Sequence, residues 1–236
     1  MSAKLTDEVS LTETISETMA NDAPKQNYQK QLEQILEKQS GKCPRLLLHT
    51  CCAPCSSYCL EYLLSHFEIT VFYYNPNITE EAEYRHRATE QHRLIEELGR
   101  DIGRTASFVE GNYDPQRFLE AAKGLEKCPE GGERCEKCFR LRLEEAAQYA
   151  AENGFDYFTT SLTISPLKNA PLLNTIGQEM GERYGIAFLP SDFKKKGGYQ
   201  RSIELSEKYD LYRQDYCGCA FSKAEREEQK RRLANA

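Results

Sequence analysis

Residues 46–59, LLLHTCCAPCSSYC, join an apolar run to the start of a helix, and the rest of the chain is organised around this junction. The leading leucines predict a buried strand, and Pro54 stands in the favoured first position of a helix. Cys51 and Cys52 therefore lie where a strand passes into a helix. Ligands of open α/β sheets bind at such points, beside backbone N–H groups that favour negative charge. The position suits a thiolate or an anionic cluster held by thiolates.

Strand and helix patterns alternate along the rest of the chain. The further segments that predict strands are 69–76 (ITVFYYNP), 105–109, 155–162 (FDYFTTSL) and 186–190 (IAFLP). Amphipathic helical patterns separate them, and this alternation predicts an α/β fold, a mostly parallel sheet with flanking helices in a single domain. We assign residues 27–222 to this domain, residues 1–26 to a disordered acidic extension and residues 223–236 to a charged C-terminal tail.

The composition predicts a cytoplasmic protein with reduced thiols. The 236 residues include ten cysteines and carry a formal net charge of −6. The polar N-terminal segment lacks the apolar core of a signal peptide, and no run approaches the roughly 18 apolar residues of a membrane span. Since the cytosol keeps most thiols reduced, the cysteines favour metal binding or redox chemistry over a disulfide framework. The negative net charge argues against a general polyanion binder but is compatible with a local basic patch.

Two pairs of cysteines can supply four thiolates. Cys135 and Cys138 are three positions apart on a predicted helix, so both side chains fall on one face, while Cys51 and Cys52 are adjacent. Four cysteines suit a tetrahedral zinc ion or an iron–sulfur cluster. The adjacent pair favours the cluster, because zinc sites usually draw their ligands from spaced C-x-x-C knuckles. Metal-free thiol chemistry and reduced core cysteines are the alternatives.

Cys217, Gly218 and Cys219 predict a redox-active element. A disulfide across one intervening residue closes a small strained ring that is easily reduced, and the glycine supplies the backbone freedom that such a ring needs. The pair can therefore hold and release two electrons, although two buried thiols near a C-terminus are the plainer interpretation. Cys55, in the first turn of the predicted helix, can be activated there or can bind a second metal.

Two segments offer contacts for a nucleic acid. Residues 192–201, DFKKKGGYQR, predict a basic loop before a final helix, and RNA recognition typically pairs such charge with aromatic stacking. Residues 161–168, SLTISPLK, follow a strand end and offer hydroxyls and one cation to a phosphate or a polar base. A solvated lysine run and an ordinary loop explain the two segments nearly as well. The candidate contacts are Ser165, Lys168, Lys194, Lys195, Tyr199 and Arg201.

Five blocks, in order, resemble one known family. They are HTCCAPCSSY, PEGGERCEKCFRLRL, FTTSLTISPLKN, DFKKKGGYQRSIELS and YRQDYCGCAFS, and the match extends over about residues 43–222. This combination resembles the QueH family of epoxyqueuosine reductases. The resemblance implies a Rossmann-like α/β core and the last step of queuosine synthesis. In that step the epoxide of epoxyqueuosine in the tRNA anticodon loop is reduced to an alkene without cobalamin.

The same resemblance implies roles for the cysteines. The residues expected to bind a 4Fe-4S cluster are Cys51, Cys52, Cys135 and Cys138. Cys217 and Cys219 are expected to form the redox-active disulfide, and Cys55 is the first candidate ligand for an additional mononuclear iron. The expected partners are tRNA carrying epoxyqueuosine and an electron donor of open identity, with no membrane. Two other functions stay open: a zinc-stapled RNA-binding module and a metal-free thiol-disulfide oxidoreductase.

Overall fold

The computed structural model describes residues 26–39 and 41–235, and the strands found there form one parallel sheet. The strands are β1 (Arg45–Thr50), β2 (Glu68–Tyr73), β3 (Ser107–Glu110), β4 (Tyr157–Thr160) and β5 (Ala187–Phe188). Their spatial order is β3-β2-β1-β4-β5, and every neighbouring pair is parallel. The chain adds strands first on one side of β1 and then on the other. In doubly wound sheets the ligand crevice lies at this reversal, outside the carboxyl ends of β1 and β4.

Helices connect the strands and cover the sheet. They are α1 (Tyr28–Lys38), α2 (Ala53–Leu63), α3 (Glu81–Ile102), α4 (Pro115–Ala121), α5 (Glu133–Glu152), α6 (Ala170–Tyr184), α7 (Gly198–Lys208) and α8 (Ala220–Ala234). A short 3-10 helix, Ser161–Ile164, follows β4 directly. None of the described helices combines the length and the apolar character that crossing a bilayer requires.

The apolar run of β1 is buried on both faces of the sheet. Leu46 and Leu48 pack into a core with residues of α1, α2, α3 and α7, whereas Leu47 packs into the opposite core with residues of α5 and α6. All three leucines are fully buried. A strand covered on both faces needs no polar alternation, which explains the continuous apolar run. The predicted fold class, an α/β single domain with a mostly parallel sheet, is confirmed.

Local differences from the sequence prediction lie in the C-terminal third. The predicted loop at residues 192–201 ends early, because α7 begins at Gly198 and includes Tyr199 and Arg201. A Cβ atom at Gly198 would collide with the carbonyl oxygen of Phe193, so glycine is what allows α7 to start this close to the preceding turn. Most of the segment predicted as a charged tail is helical and belongs to α8. The predicted N-terminal extension, apart from Gln26, lies outside the described residues.

Candidate metal and redox site

Three cysteine thiols meet where β1 passes into α2. β1 ends at Thr50 and α2 begins at Ala53, so Cys51 and Cys52 occupy the junction and Cys55 lies in the first turn of the helix. The Sγ atoms of Cys51 and Cys52 are 3.6 Å apart. All three sulfur atoms lie within 4.8 Å of one another. Thiolates at this spacing are suitable ligands for a soft or borderline metal ion.

The three thiols form one hydrogen-bonded group in which the ionisation of each depends on the others. Hydrogen bonding from Cys52, and then from Cys55, holds the pKa of Cys51 well below its usual range. The hydrogen bond with Cys51 is the main reason why the pKa of Cys52 rises to about 12, and it also raises the pKa of Cys55 well above its usual range. Cys51 is therefore the thiol of this group that ionises most readily, and the other two donate towards its sulfur. Metal binding to such a group releases the remaining protons.

A second set of cysteines lines a neighbouring cavity of about 110 Å³. Cys135 and Cys138 reach this cavity from the N-terminal part of α5, and Cys217 and Cys219 reach it from the residues just before α8. Burial raises the pKa of Cys138 to about 12. Gly131 donates its backbone N–H to Sγ of Cys135 at 3.2 Å. Four thiols from two distant parts of the chain therefore face one small space.

A larger cavity of about 700 Å³ is lined by the first set of cysteines and by one cysteine of the second set. Cys51, Cys52 and Cys55 line this large cavity, whereas Cys217 and Lys168 line both cavities. Burial would lower the pKa of Lys168, but the surrounding thiols, Cys217 foremost, raise it above its usual range. The ammonium group therefore stays protonated between the two sets of thiols.

The loop that carries Cys217 and Cys219 is held from α3. Arg87 is buried and donates from Nη1 to the carbonyl oxygen of Cys217 at 3.1 Å. Gly218 has a φ of +117°, which glycine tolerates best, and Cys219 is the N-cap of α8, with its Sγ accepting the N–H of Ser222 at 3.3 Å. All ten cysteines of the chain are unpaired thiols in this structure. The disulfide expected between Cys217 and Cys219 stays a prediction.

Half of the predicted nucleic-acid contacts lie at the large cavity. Ser165, Lys168 and Tyr199 are among its lining residues. Ser165 ends the 3-10 helix after β4, and Lys168 follows in the same loop, so β4 positions both at the carboxyl edge of the sheet. Tyr199 is 37% exposed, which leaves its ring available for stacking.

The other predicted contacts lie apart from the residues that line the large cavity. Lys194 pairs with Asp192 at 2.9 Å. Arg201 is held by Glu61, whose carboxylate accepts from two guanidinium nitrogens at 2.7 and 2.9 Å. Lys195 is exposed. A role of these three cations in binding a nucleic acid stays a prediction.

Known proteins resemble this chain over most of its length. Residues 46–225 match the family model described as Epoxyqueuosine reductase QueH. A Streptococcus pyogenes protein with that name is 45% identical over 213 residues, which cover 88% of this chain and 83% of that protein. The chain belongs to the QueH family. A QueH protein of Staphylococcus epidermidis is 44% identical over 200 residues, covering 83% of this chain and 84% of that protein. One of Thermotoga maritima is 35% identical over 187 residues, covering 78% of this chain and 92% of that protein.

The buried polar groups behind the QueH cysteines were not predicted from the sequence. His49, Asn75 and Arg142 are buried together, and Arg142 donates to both of the other side chains. Burial lowers the pKa of His49 to about 3, so its imidazole is neutral. Arg142 follows Cys138 by four residues on α5. That spacing was the available signal, because residues i and i+4 share a helix face.

The residues of this QueH chain fit a metal held by thiolates. Three sulfur atoms within 4.8 Å supply ligands of the right kind. The Nη1 atom of Arg142 is buried and has no hydrogen-bond partner among the described residues. A buried cation without an anionic partner is unfavourable, and a negatively charged set of ligands beside it would relieve that cost. The cysteine cluster can therefore hold a metal.

Proposed function

We propose that this QueH chain reduces the epoxide of epoxyqueuosine in tRNA to the alkene of queuosine, in the cytoplasm and without cobalamin. The observation that carries the proposal is the match to proteins of that name. It spans residues 46–225 and so includes every cysteine except Cys43. The chemistry of the site supports the proposal, because a reductase needs a store of electrons next to a space for its substrate.

The reaction consumes two electrons and two protons. Breaking both C–O bonds of the epoxide leaves the alkene and expels the oxygen as water. Oxidation of the Cys217 and Cys219 dithiol to a disulfide releases two electrons and two protons, which balances the reaction. An external electron donor then reduces the disulfide in each turnover. Cys217 suits this role because it lines the large cavity, where the substrate would enter, as well as the small one.

A metal centre would link the dithiol to the substrate. The residues proposed to hold a 4Fe-4S cluster are Cys51, Cys52, Cys135 and Cys138, and Cys55 is proposed as a ligand of an additional iron. The close approach of the sulfur atoms at the β1–α2 junction supports the first half of this ligand set. When bound, the centre supplies one-electron transfer and Lewis-acid polarisation of the epoxide oxygen. Both electrons would originate from the dithiol of Cys217 and Cys219, so the electron balance requires no cobalamin.

The large cavity would receive the modified nucleoside. Its volume of about 700 Å³ lies in the usual range for small-molecule sites. Nζ of Lys168 would donate a hydrogen bond to the epoxide oxygen and stabilise the negative charge that develops there. The half-exposed ring of Tyr199 would stack on a base. The further contacts proposed for tRNA phosphates or a polar base are Ser165, Lys194, Lys195 and Arg201.

Iron and acid-labile sulfide, measured with a visible spectrum on protein purified without oxygen, test the cofactor. We expect about four irons and a matching amount of sulfide in the wild type, and loss of both in Cys135→Ser. Cys43→Ser is the matched control, since Cys43 is exposed and lies outside the family match. Reduction of tRNA carrying epoxyqueuosine then tests the activity. A colourless protein with one zinc, or a loaded protein that forms no alkene, would contradict the proposal.

A further inference from the structure

Among the described residues, three arginines are almost completely buried, and one of them has no carboxylate partner. Arg87 pairs with Glu83 at 2.7 Å, and Arg134 pairs with Glu225 at 2.8 Å. Arg142 is 0% exposed, and its hydrogen bonds go to neutral groups; it forms no ion pair with a carboxylate in the described chain. The first two arginines therefore have a local countercharge, and the third does not.

The groups that contact Arg142 leave its charge uncompensated. Nη2 donates to Oδ1 of Asn75 at 2.6 Å, and Nε donates to Nε2 of His49 at 3.3 Å. Because Nε2 of His49 accepts this hydrogen bond, the imidazole is neutral, and the amide of Asn75 carries no charge. Nη1 has no hydrogen-bond partner among the described residues. A guanidinium stays protonated inside proteins, so a permanent positive charge is enclosed by neutral groups.

Among the described residues, the groups near Arg142 that can become anionic are cysteine thiols and the phenol of Tyr74, and burial raises the pKa of Tyr74 to about 12, so that phenol stays neutral. Cys138 lies one turn earlier on α5, and Cys51 lies at the end of β1. Burial disfavours the charge of Arg142, yet Cys138 and then Cys51 raise its pKa above the usual value. Because no part of Arg142 reaches solvent, neither a substrate phosphate nor a dissolved ion can contact it. The cysteine thiols are therefore the groups of the described fold that are placed to supply its countercharge.

We propose that Arg142 is the countercharge of the cysteine site, a positioning residue whose fixed charge stabilises the thiolates that hold the metal. The inference rests on the metal site proposed above and adds a residue outside the ligand set. Several thiolates around a divalent ion or a cluster carry net negative charge, which a cation stabilises strongly in a medium of low dielectric constant. Two consequences are measurable. Arg142 tightens metal binding, and it raises the reduction potential, since the reduced centre is the more negative one.

Titration of the metal-free protein with Co²⁺ measures the first consequence, because thiolate–cobalt charge-transfer bands report binding at the cysteines. We expect the Kd of Arg142→Gln to rise at least about tenfold. Asn75→Asp should have the same effect, because its carboxylate would cancel the charge of Arg142 while the guanidinium stays in place. Arg142→Lys keeps the charge and should stay within about threefold of the wild type. Arg140→Gln is the matched control, since it removes a partly exposed arginine of α5 that pairs with Glu136 and Glu179.

The reduction potential of the iron-loaded protein is the second readout. A tenfold change in a one-electron equilibrium corresponds to about 59 mV. Arg142→Gln and Asn75→Asp should each lower the potential by at least about this amount, whereas Arg142→Lys and Arg140→Gln should leave it near the wild-type value. A purely structural role would not order the variants by charge. Circular dichroism checks that each variant is folded. If Arg142→Gln does not fold, the measurements on Asn75→Asp decide the outcome.

Three results would overturn the inference. The first is equal cobalt affinity in the wild type and Arg142→Gln. The second is an Arg142→Lys variant that binds cobalt as weakly as Arg142→Gln, together with an Asn75→Asp variant that binds cobalt as tightly as the wild type. That pattern would mean that Arg142 acts through its hydrogen bonds rather than through its charge. The third is a wild type without thiolate–cobalt bands, which removes the metal site itself. A protein that binds cobalt as expected but does not reduce epoxyqueuosine would lose the proposed function and keep the role of Arg142.

Discussion

Gly218→Ala is expected to open the loop between Cys217 and Cys219 without removing either thiol. Gly218 has a φ of +117°, which alanine adopts only with strain. A Cβ atom there would lie 2.8 Å from Cγ1 of Ile78 and 3.2 Å from Nη1 of Arg87. Both neighbours are buried, so neither can swing into solvent to make room. The least costly response is for the loop to leave its place against α3.

Two separate costs set the size of this effect. The backbone conformation costs alanine roughly 1–3 kcal/mol, and forcing one methyl group into a packed site costs roughly 1–3 kcal/mol more. Gly124→Ala is the matched control, because Gly124 also has a positive φ, +82°, but nothing lies within 4 Å of an added Cβ. That variant bears only the backbone cost of roughly 1–2 kcal/mol. The difference between the two variants therefore combines the cost of the contacts with Ile78 and Arg87 and the additional backbone strain at the larger φ of Gly218.

Alkylation of Cys219 in the native, metal-free protein measures the opening of the loop. Cys219 is 7% exposed, so a reagent reaches its thiol through the open state. Since about 1.4 kcal/mol is a factor of ten, a loss of about 2 kcal/mol raises the open population about thirtyfold. We expect at least this increase in the alkylation rate of Gly218→Ala, measured by mass spectrometry, and little change in Gly124→Ala. Urea unfolding of the same variants gives the accompanying change in global stability.

A wild-type alkylation rate at Cys219 in Gly218→Ala, together with an unchanged free energy of unfolding, would refute this reasoning. It would mean that the loop conformation does not need glycine. An equal loss of unfolding free energy in Gly218→Ala and Gly124→Ala would show instead that the backbone conformation matters and that the contacts with Ile78 and Arg87 do not. Neither result would change the position of Cys217 at the two cavities, which is the structural support for its role in the electron store.

Three further changes test the electron store and the nucleic-acid contacts. Replacing Cys217 and Cys219 together by serine should abolish multiple turnover while iron and sulfide content stays intact, and full activity would contradict the dithiol role. Arg87→Gln removes the buried cation that holds the carbonyl of Cys217, so urea titration should show roughly 3 kcal/mol less stability. A loss below about 1 kcal/mol would mean that this contact is dispensable. Replacing Lys194 and Lys195 together by alanine should weaken tRNA binding and make it less dependent on salt concentration, because fewer counterions are released. An unchanged salt dependence would mean that tRNA binds at another surface of the protein.

Several features of the site could be predicted because their causes lie within a few residues. The apolar run 46–48 is buried on both faces, as a strand in the centre of a parallel sheet must be, and Pro54 lies in the first turn of α2. The strand end and the helix start together place Cys51 and Cys52 at the junction. Likewise, the three-residue spacing of Cys135 and Cys138 predicts that they share a helix face, and both line one cavity.

Other features depend on partners that are distant in the sequence. The two glycines at positions 197 and 198 favour a loop when only the sequence is considered. In the structure α7 begins at Gly198, because glycine lets the chain pass close to the carbonyl oxygen of Phe193. Arg201 reads as a free cation, yet it pairs with Glu61, which is 140 residues away. A pattern of residue types along one segment carries no information about such partners.

Local patterns were sufficient for the α/β class, the parallel sheet and the position of the first thiols, because hydrophobic periodicity and helix starts are short-range properties of the chain. Long-range packing settled which cysteines face one another. The winding of the sheet about β1 brings Cys51, Cys138 and Cys217, from three separate segments, to neighbouring cavities. The same packing leaves Arg142 buried among neutral groups, since the charge balance of an interior site depends on every element that surrounds it.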